Sequence, residues 1–119
     1  MTQHELGIFG ENLAVNHLLS KGYDIIVRNY TYRKKEIDIV AKNENQLVVV
    51  EVKTRQTAEI GEPWMAVTRE KQKAIIQVAH HYLVSNQIEL DTRFDVISIV
   101  HNSFRTKIEH LEDAFSASM

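Results

Sequence analysis

Glu36-Ile37-Asp38-Ile39-Val40-Ala41-Lys42-Asn43-Glu44-Asn45-Gln46-Leu47-Val48-Val49-Val50-Glu51-Val52-Lys53 decides how the rest of this chain is read. Two apolar runs, Glu36–Lys42 and Gln46–Lys53, flank a short polar break, the pattern of two strands joined as a hairpin. Each run carries an acid where a sheet interior calls for hydrocarbon: Asp38 sits between isoleucines and Glu51 follows a run of valines. A buried, unpaired carboxylate is costly, so each needs a partner or an opening to solvent. Residues two apart share a strand face, so Leu47, Val49, Glu51 and Lys53 point one way, and Val48, Val50 and Val52 the other. If Glu44-Asn45 is a two-residue turn, Asp38 falls opposite Glu51, with Cβ atoms roughly 5 Å apart. Opposed like charges destabilise a sheet unless something positive lies between them. Carboxylate oxygens with several retained waters are the ligand set of Mg²⁺, and Mn²⁺ can take its place. A three-residue Asn43-Glu44-Asn45 turn would shift this register and need a bulge to restore the pair.

Outward from the hairpin, the order of elements is α-β-β-β-α-β-β. Residues 3–21 read as a helix stopped by Gly22. Tyr23–Arg28 is a short strand, and Gln56–Val67, with Gly61-Glu62-Pro63, is a loop. Thr68 caps a second helix to about Ser85, with Ile75, Val78, Ala79, Tyr82 and Leu83 on its apolar face. Arg93–Val100 and Phe104–Leu111 read as strands joined at Asn102-Ser103. A mixed sheet with apolar faces needs helices to cover them, which makes this an α/β fold.

The first helix holds a third misplaced acid. At 100° per residue Glu5, Asn12, Asn16 and Ser20 share a polar arc, whereas Glu11 projects between Val15 and Leu18, beside Gly7 and Ala14. Glu11 could reach a metal or hold its waters. By itself, it is more simply expected to pair with a basic residue.

With 119 residues the chain reads as a single domain over 1–119. Hydrophobic residues at 44% and charged ones at 25% place it among globular proteins. The absence of cysteine excludes disulfides, thiolate metal sites and cysteine nucleophiles. No apolar run approaches a membrane span, and Met1–Asn12 lacks the basic start and apolar stretch of a signal peptide. The expectation is a cytoplasmic protein with no membrane partner. The net charge of −2 hides a division: Arg28–Lys73 carries a local +3 and the remainder −5. The basic middle, densest at Arg28, Arg33, Lys34 and Lys35, can attract phosphate. His80-His81 make a poor chelate, because adjacent helical residues point apart. Trp64 reads as a loop anchor, Arg93 and Asp95 as a pair on one strand face. No Ser-His-Asp arrangement or Gly-rich phosphate loop is present.

Asp38 followed by Glu51-Val52-Lys53 resembles the D…E-x-K signature of the PD-(D/E)XK nuclease superfamily. Gly10-Glu11-Asn12-Leu13-Ala14, Gly22-Tyr23, Arg28-Asn29-Tyr30, Glu36-Ile37-Asp38-Ile39-Val40, Val50-Glu51-Val52-Lys53-Thr54-Arg55 and Arg93-Phe94-Asp95-Val96 occur in that order. As a set they resemble the YraN family of bacterial proteins, mostly uncharacterised relatives of archaeal Holliday-junction resolvases. The resemblance implies a restriction-endonuclease-like fold, a central mixed β-sheet with helices on both sides. It implies Asp38, Glu51 and Glu11 as metal ligands, Lys53 as the catalytic lysine, and Glu11 as the helix-borne glutamate of the resolvase branch. The family usually has glycine before Glu-Ile-Asp, and this chain has Lys35.

The function implied is a Mg²⁺-dependent endonuclease hydrolysing DNA phosphodiester bonds, with branched, Holliday-junction-like structures as candidate substrates. Arg33, Lys34, Arg55, Lys71 and Lys73 are the candidates for positioning phosphates of the nucleic acid. Symmetric cutting of a junction would call for a homodimer. The competing reading is a nucleic-acid-binding or accessory protein that keeps the nuclease fold without cutting. The intact Asp38–Glu51–Lys53 set favours the enzyme, and the negative net charge favours the alternative.

Overall fold

The computed structural model describes residues 1–57 and 67–117. Thr2 opens the first helix, α1 (Gln3–Ser20), with a reciprocal cap: its hydroxyl accepts from the Glu5 N–H at 3.1 Å, and the Glu5 carboxylate accepts from the Thr2 N–H at 2.8 Å. Five strands follow in a single sheet: β1 (Asp24–Tyr32), β2 (Lys35–Asn43), β3 (Gln46–Arg55), β4 (Asp91–His101) and β5 (Thr106–Phe115). The second helix, α2 (Arg69–Ser85), separates β3 from β4. The spatial order of the strands is their chain order. Neighbours are antiparallel except β3 and β4, which run parallel on either side of the α2 crossover.

The helices divide the core between the two sheet faces, as the sequence pattern predicts. Val48 and Val50 join Ala14 and Leu18 of α1, with Ile39, Ala41, Ile97 and Ile99. Leu47 and Val49 join Ile75, Val78, Ala79 and Tyr82 of α2, with Val40, Phe94 and Val96. The alternating valines of β3 therefore feed both layers, which makes it the central strand. Gly10 lets α1 approach closely there, for a Cβ at that position would lie 1.8 Å from the Thr54 hydroxyl.

Thr68 caps α2 as expected, its hydroxyl accepting from the Lys71 N–H at 3.1 Å. The strand boundaries differ from the sequence reading most at β1 and at β5, which also runs on past Leu111 to Phe115. β1 runs on to Tyr32, because a two-residue turn at Arg33-Lys34 folds it directly onto β2. Both turn residues have positive φ, 52° and 64°, where asparagine or glycine is usual; two long cations hide that signal. β5 begins at Thr106, because Asn102 Oδ1 accepts from the Phe104 and Arg105 N–H groups and holds these residues in a turn. Most of the expected Gln56–Val67 loop, with Gly61, Pro63 and Trp64, lies outside the described residues.

Candidate active site

The β2–β3 turn fixes the register first. Asn43 pairs with Gln46, so Glu44-Asn45 is the two-residue turn, and pairing continues from there to Ile39–Val50. One step further would oppose Asp38 and Glu51. Instead the ladder ends, and Asp38 Oδ2 accepts from the Val52 N–H at 2.8 Å. The acid has replaced a strand carbonyl as the partner of that backbone donor.

The reason lies in how β1 and β2 face. Val27 pairs with Val40 and Tyr30 with Ile37, and all four pack into the α2 layer. Residues three apart on a regular strand point to opposite faces, so both strands lose one step of alternation between these pairs. Asn29, with φ of 53°, and Asp38 stand at that break. Asparagine tolerates this left-handed conformation better than most residues. Asn29 consequently turns to α1, where its amide donates to Glu11 Oε1 at 2.8 Å and to Glu36 Oε1 at 2.7 Å. Arg28 Nη2 donates to Glu11 Oε2 at 2.7 Å and to Asn12 at 2.8 Å. Both oxygens of Glu11 are thus engaged, in the pairing its helical position alone suggests.

Asp38, Glu11, Asn29, Glu36, Val52 and Lys53 line a groove of about 600 Å³ beside the first turns of α1. Glu51 lies behind it, only 7% exposed, with Lys71 Nζ of α2 at 3.4 Å. Burial pushes the Asp38 carboxyl up to about 8, and the hydrogen bond and negative charge of Glu51 push the same way. The Val52 N–H and Lys71 act against this without cancelling it. The two acids are therefore close enough to compete for ionisation, as the register argument requires.

Among the described residues no three His, Asp or Glu side chains gather closely enough to cage a metal ion. The donor set suits a different kind of site. Two adjacent carboxyls, one of them disfavoured as an anion, fit a hard cation that keeps waters and takes further oxygens from a substrate. Glu11 is in the same groove, with its oxygens turned to Arg28 and Asn29. Lys53 is exposed and has no carboxylate partner among the described residues.

The phosphate candidates separate. Arg55 stands with Lys53 in an adjoining pocket walled by Gln3 and Leu6. Lys71 is committed to Glu51, and Lys73 is exposed on α2. Arg33 and Lys34 form the β1–β2 turn, with the Arg33 guanidinium 5.1 Å from the Tyr32 ring centroid.

A second buried carboxylate, Asp95 on β4, has its partners supplied by the protein. Arg93 grips it through Nε at 2.9 Å and Nη2 at 2.8 Å, His110 Nε2 lies 2.7 Å away, and the Asp113 N–H donates at 2.9 Å. Arg93 also donates to the Tyr23 hydroxyl at 2.6 Å. Burial would raise the Asp95 carboxyl, but His110, Arg93 and the Asp113 N–H together hold it below its ordinary value.

Residues 10–99 match the model described as "Uncharacterised protein family UPF0102". The chain belongs to UPF0102, the YraN family. The UPF0102 protein of Flavobacterium psychrophilum is 45% identical over 116 residues, covering 97% of this chain and 98% of the relative. That of Prosthecochloris aestuarii is 48% identical over 121 residues, covering 96% and 95%. A more distant UPF0102 protein, from Clostridioides difficile, is 42% identical over 116 residues, covering 97% and 100%. The matched segment contains Glu11, Asp38, Glu51, Lys53 and Asp95.

In this UPF0102 chain several residues that shape the groove escape a reading by residue type. Asn29 and Glu36 join the Glu11 network, and Lys71 reaches Glu51 itself. The one available signal was Asn29, a residue that accepts positive φ, inside an otherwise apolar strand. His110 gave none, because its partner Asp95 is remote in sequence.

Proposed function

We propose that this UPF0102 protein is a metal-dependent nuclease that hydrolyses phosphodiester bonds of DNA in the groove between α1 and the β2–β3 split. The observation that carries this reading is the adjoining pair of carboxyls, Asp38 and Glu51, beside the exposed Lys53. Asp38 and Glu51 would hold Mg²⁺, or Mn²⁺ in its place. When bound, such an ion polarises a phosphoryl oxygen and acidifies a coordinated water. Lys53 would orient the attacking water or stabilise charge building on the phosphorane. Glu11, engaged through both oxygens, would act from further out, fixing Arg28 and Asn29 so that the groove wall and its waters keep their places. Arg55, next to Lys53, would steady a phosphate of the bound strand. Branched DNA is the finer proposal, and paired cuts in a junction would need two copies of the site, hence a homodimer.

The net charge of −2 favours a second reading, in which the protein binds nucleic acid as an accessory factor and cuts nothing. Labelled junctions, flaps, single strands and duplexes incubated with Mg²⁺ or Mn²⁺ separate the two. The nuclease reading expects cleavage that needs metal and vanishes in Glu51→Ala. Binding by gel shift without cleavage would move the assignment to the accessory reading.

A further inference from the structure

On the opposite side of β2 from the acidic groove, the β1–β2 turn and α2 enclose a second groove of about 480 Å³. Tyr32, Arg33 and Lys35 line it from the hairpin, and Ile76, His80 and Val84 from the helix. Among the described residues no Asp or Glu lines it. Lys35 is tied across it, donating to Gln77 Oε1 at 2.5 Å.

Arg33 is held by stacking rather than by an acid. The Tyr32 ring lies 3.7 Å from the His81 ring at an interplanar angle of 10°, and the Arg33 guanidinium stands 5.1 Å from the Tyr32 centroid. His81 in turn stacks toward Tyr30 at 6.3 Å. The Arg33 guanidinium thus stands over a ring that is itself packed on α2. A guanidinium stacked on a ring keeps its N–H edge free for two parallel bonds to an anion. Among the described residues Arg33 has no carboxylate partner. The backbone there is also held in the left-handed region, φ 52° at Arg33 and 64° at Lys34, where glycine would fit with less strain.

We propose that this second groove seats the phosphate backbone of a DNA strand, with Arg33 as its phosphate clamp and the Tyr32–His81 stack as the platform that positions it. The ligand class rests on the nucleic-acid reading above, whereas the groove needs neither the metal nor cleavage.

The test is fluorescence anisotropy with labelled single-stranded and duplex DNA 20-mers in EDTA, at low and physiological salt, on the full chain. Arg33→Gly removes the clamp and relieves the turn. It is expected to weaken binding about tenfold and to make the salt dependence shallower by about one ion. Its melting temperature should stay the same or rise, so that misfolding is excluded as the cause. Arg33→Lys should restore only part of the affinity, because it keeps the charge and loses the fork. Wild-type affinity and salt slope in Arg33→Gly, or no binding by the wild type at low salt, would overturn the proposal. Arg33-dependent binding with no metal-dependent cleavage would retire the nuclease reading and leave the clamp. Cleavage with Arg33-independent binding would do the reverse.

Discussion

Asp38 and Asp95 are both carboxylates sunk into one sheet, and the protein treats them in opposite ways. Asp95, fully buried, receives a bidentate arginine, an imidazole and a backbone N–H, and its carboxyl is held below the ordinary range. Asp38 receives one backbone N–H and faces Glu51, and its carboxyl is pushed up to about 8. A buried acid whose partners come from its own chain is part of the scaffold. One set against another acid, with Lys71 3.4 Å from Glu51 as its cation, still has a carboxyl pushed upward, and a bound cation would relieve it. The contrast supports a structural role for Asp95 and the proposed metal-binding role for Asp38, although each interrupts an apolar strand in the same manner.

The contrast can be broken most forcefully at Asp95. Asp95→Ala strands Arg93 and His110 without their acid, so urea unfolding should show a loss of about 3–5 kcal/mol. The same experiment on Asp38→Asn should show the reverse sign in metal-free protein at pH 8. An amide can still accept from the Val52 N–H while removing the repulsion with Glu51, a gain of about 1 kcal/mol. Loss of stability in Asp38→Asn comparable to that in Asp95→Ala would erase the distinction.

Dependence on pH sharpens the comparison further, because the two acids contribute opposite slopes. Asp95 ionises more readily folded than unfolded, so its contribution is present above the unfolded value and is lost as pH falls through the lower folded one. Asp38 keeps its proton to about 8 when folded, against an ordinary value of 3.8. Over that window the folded state binds more protons than the unfolded state, so its contribution declines as pH rises and levels off above about 8. Metal-free melting temperatures should therefore fall less steeply between about pH 4 and pH 8 in Asp38→Asn than in wild type, and run parallel to it above that. An unchanged profile would count against the raised Asp38 carboxyl.

Much of this was legible in the chain. Apolar periodicity gave the two helices and the central strand, because β3 must feed two core layers and its valines do so in alternation. Register arithmetic placed Asp38 beside Glu51, although the ladder ends one pair short of opposing them and Asp38 takes the Val52 N–H instead. What periodicity could not give was the break in facing between Val27–Val40 and Tyr30–Ile37, since it depends on a backbone conformation at Asn29 rather than on residue type. The same limit hid the Arg33-Lys34 turn. It also hid Asn29 as a partner of Glu11, whose two oxygens accept from Arg28 and Asn29. Arg93 and Asp95 were readable as a pair because they lie two residues apart on one strand, whereas His110 enters only through the β4–β5 pairing.

The central claim is that the Asp38–Glu51 pair, unlike Asp95, waits for a cation from outside. Isothermal calorimetry of Mn²⁺ binding to the metal-free protein, run on wild type and Asp38→Asn, tests it most directly. The account predicts a binding event in the wild type that is lost or strongly weakened in Asp38→Asn, while the metal-free variant is at least as stable as the wild type. No Mn²⁺ binding in the wild type, or equal binding in Asp38→Asn, would contradict it.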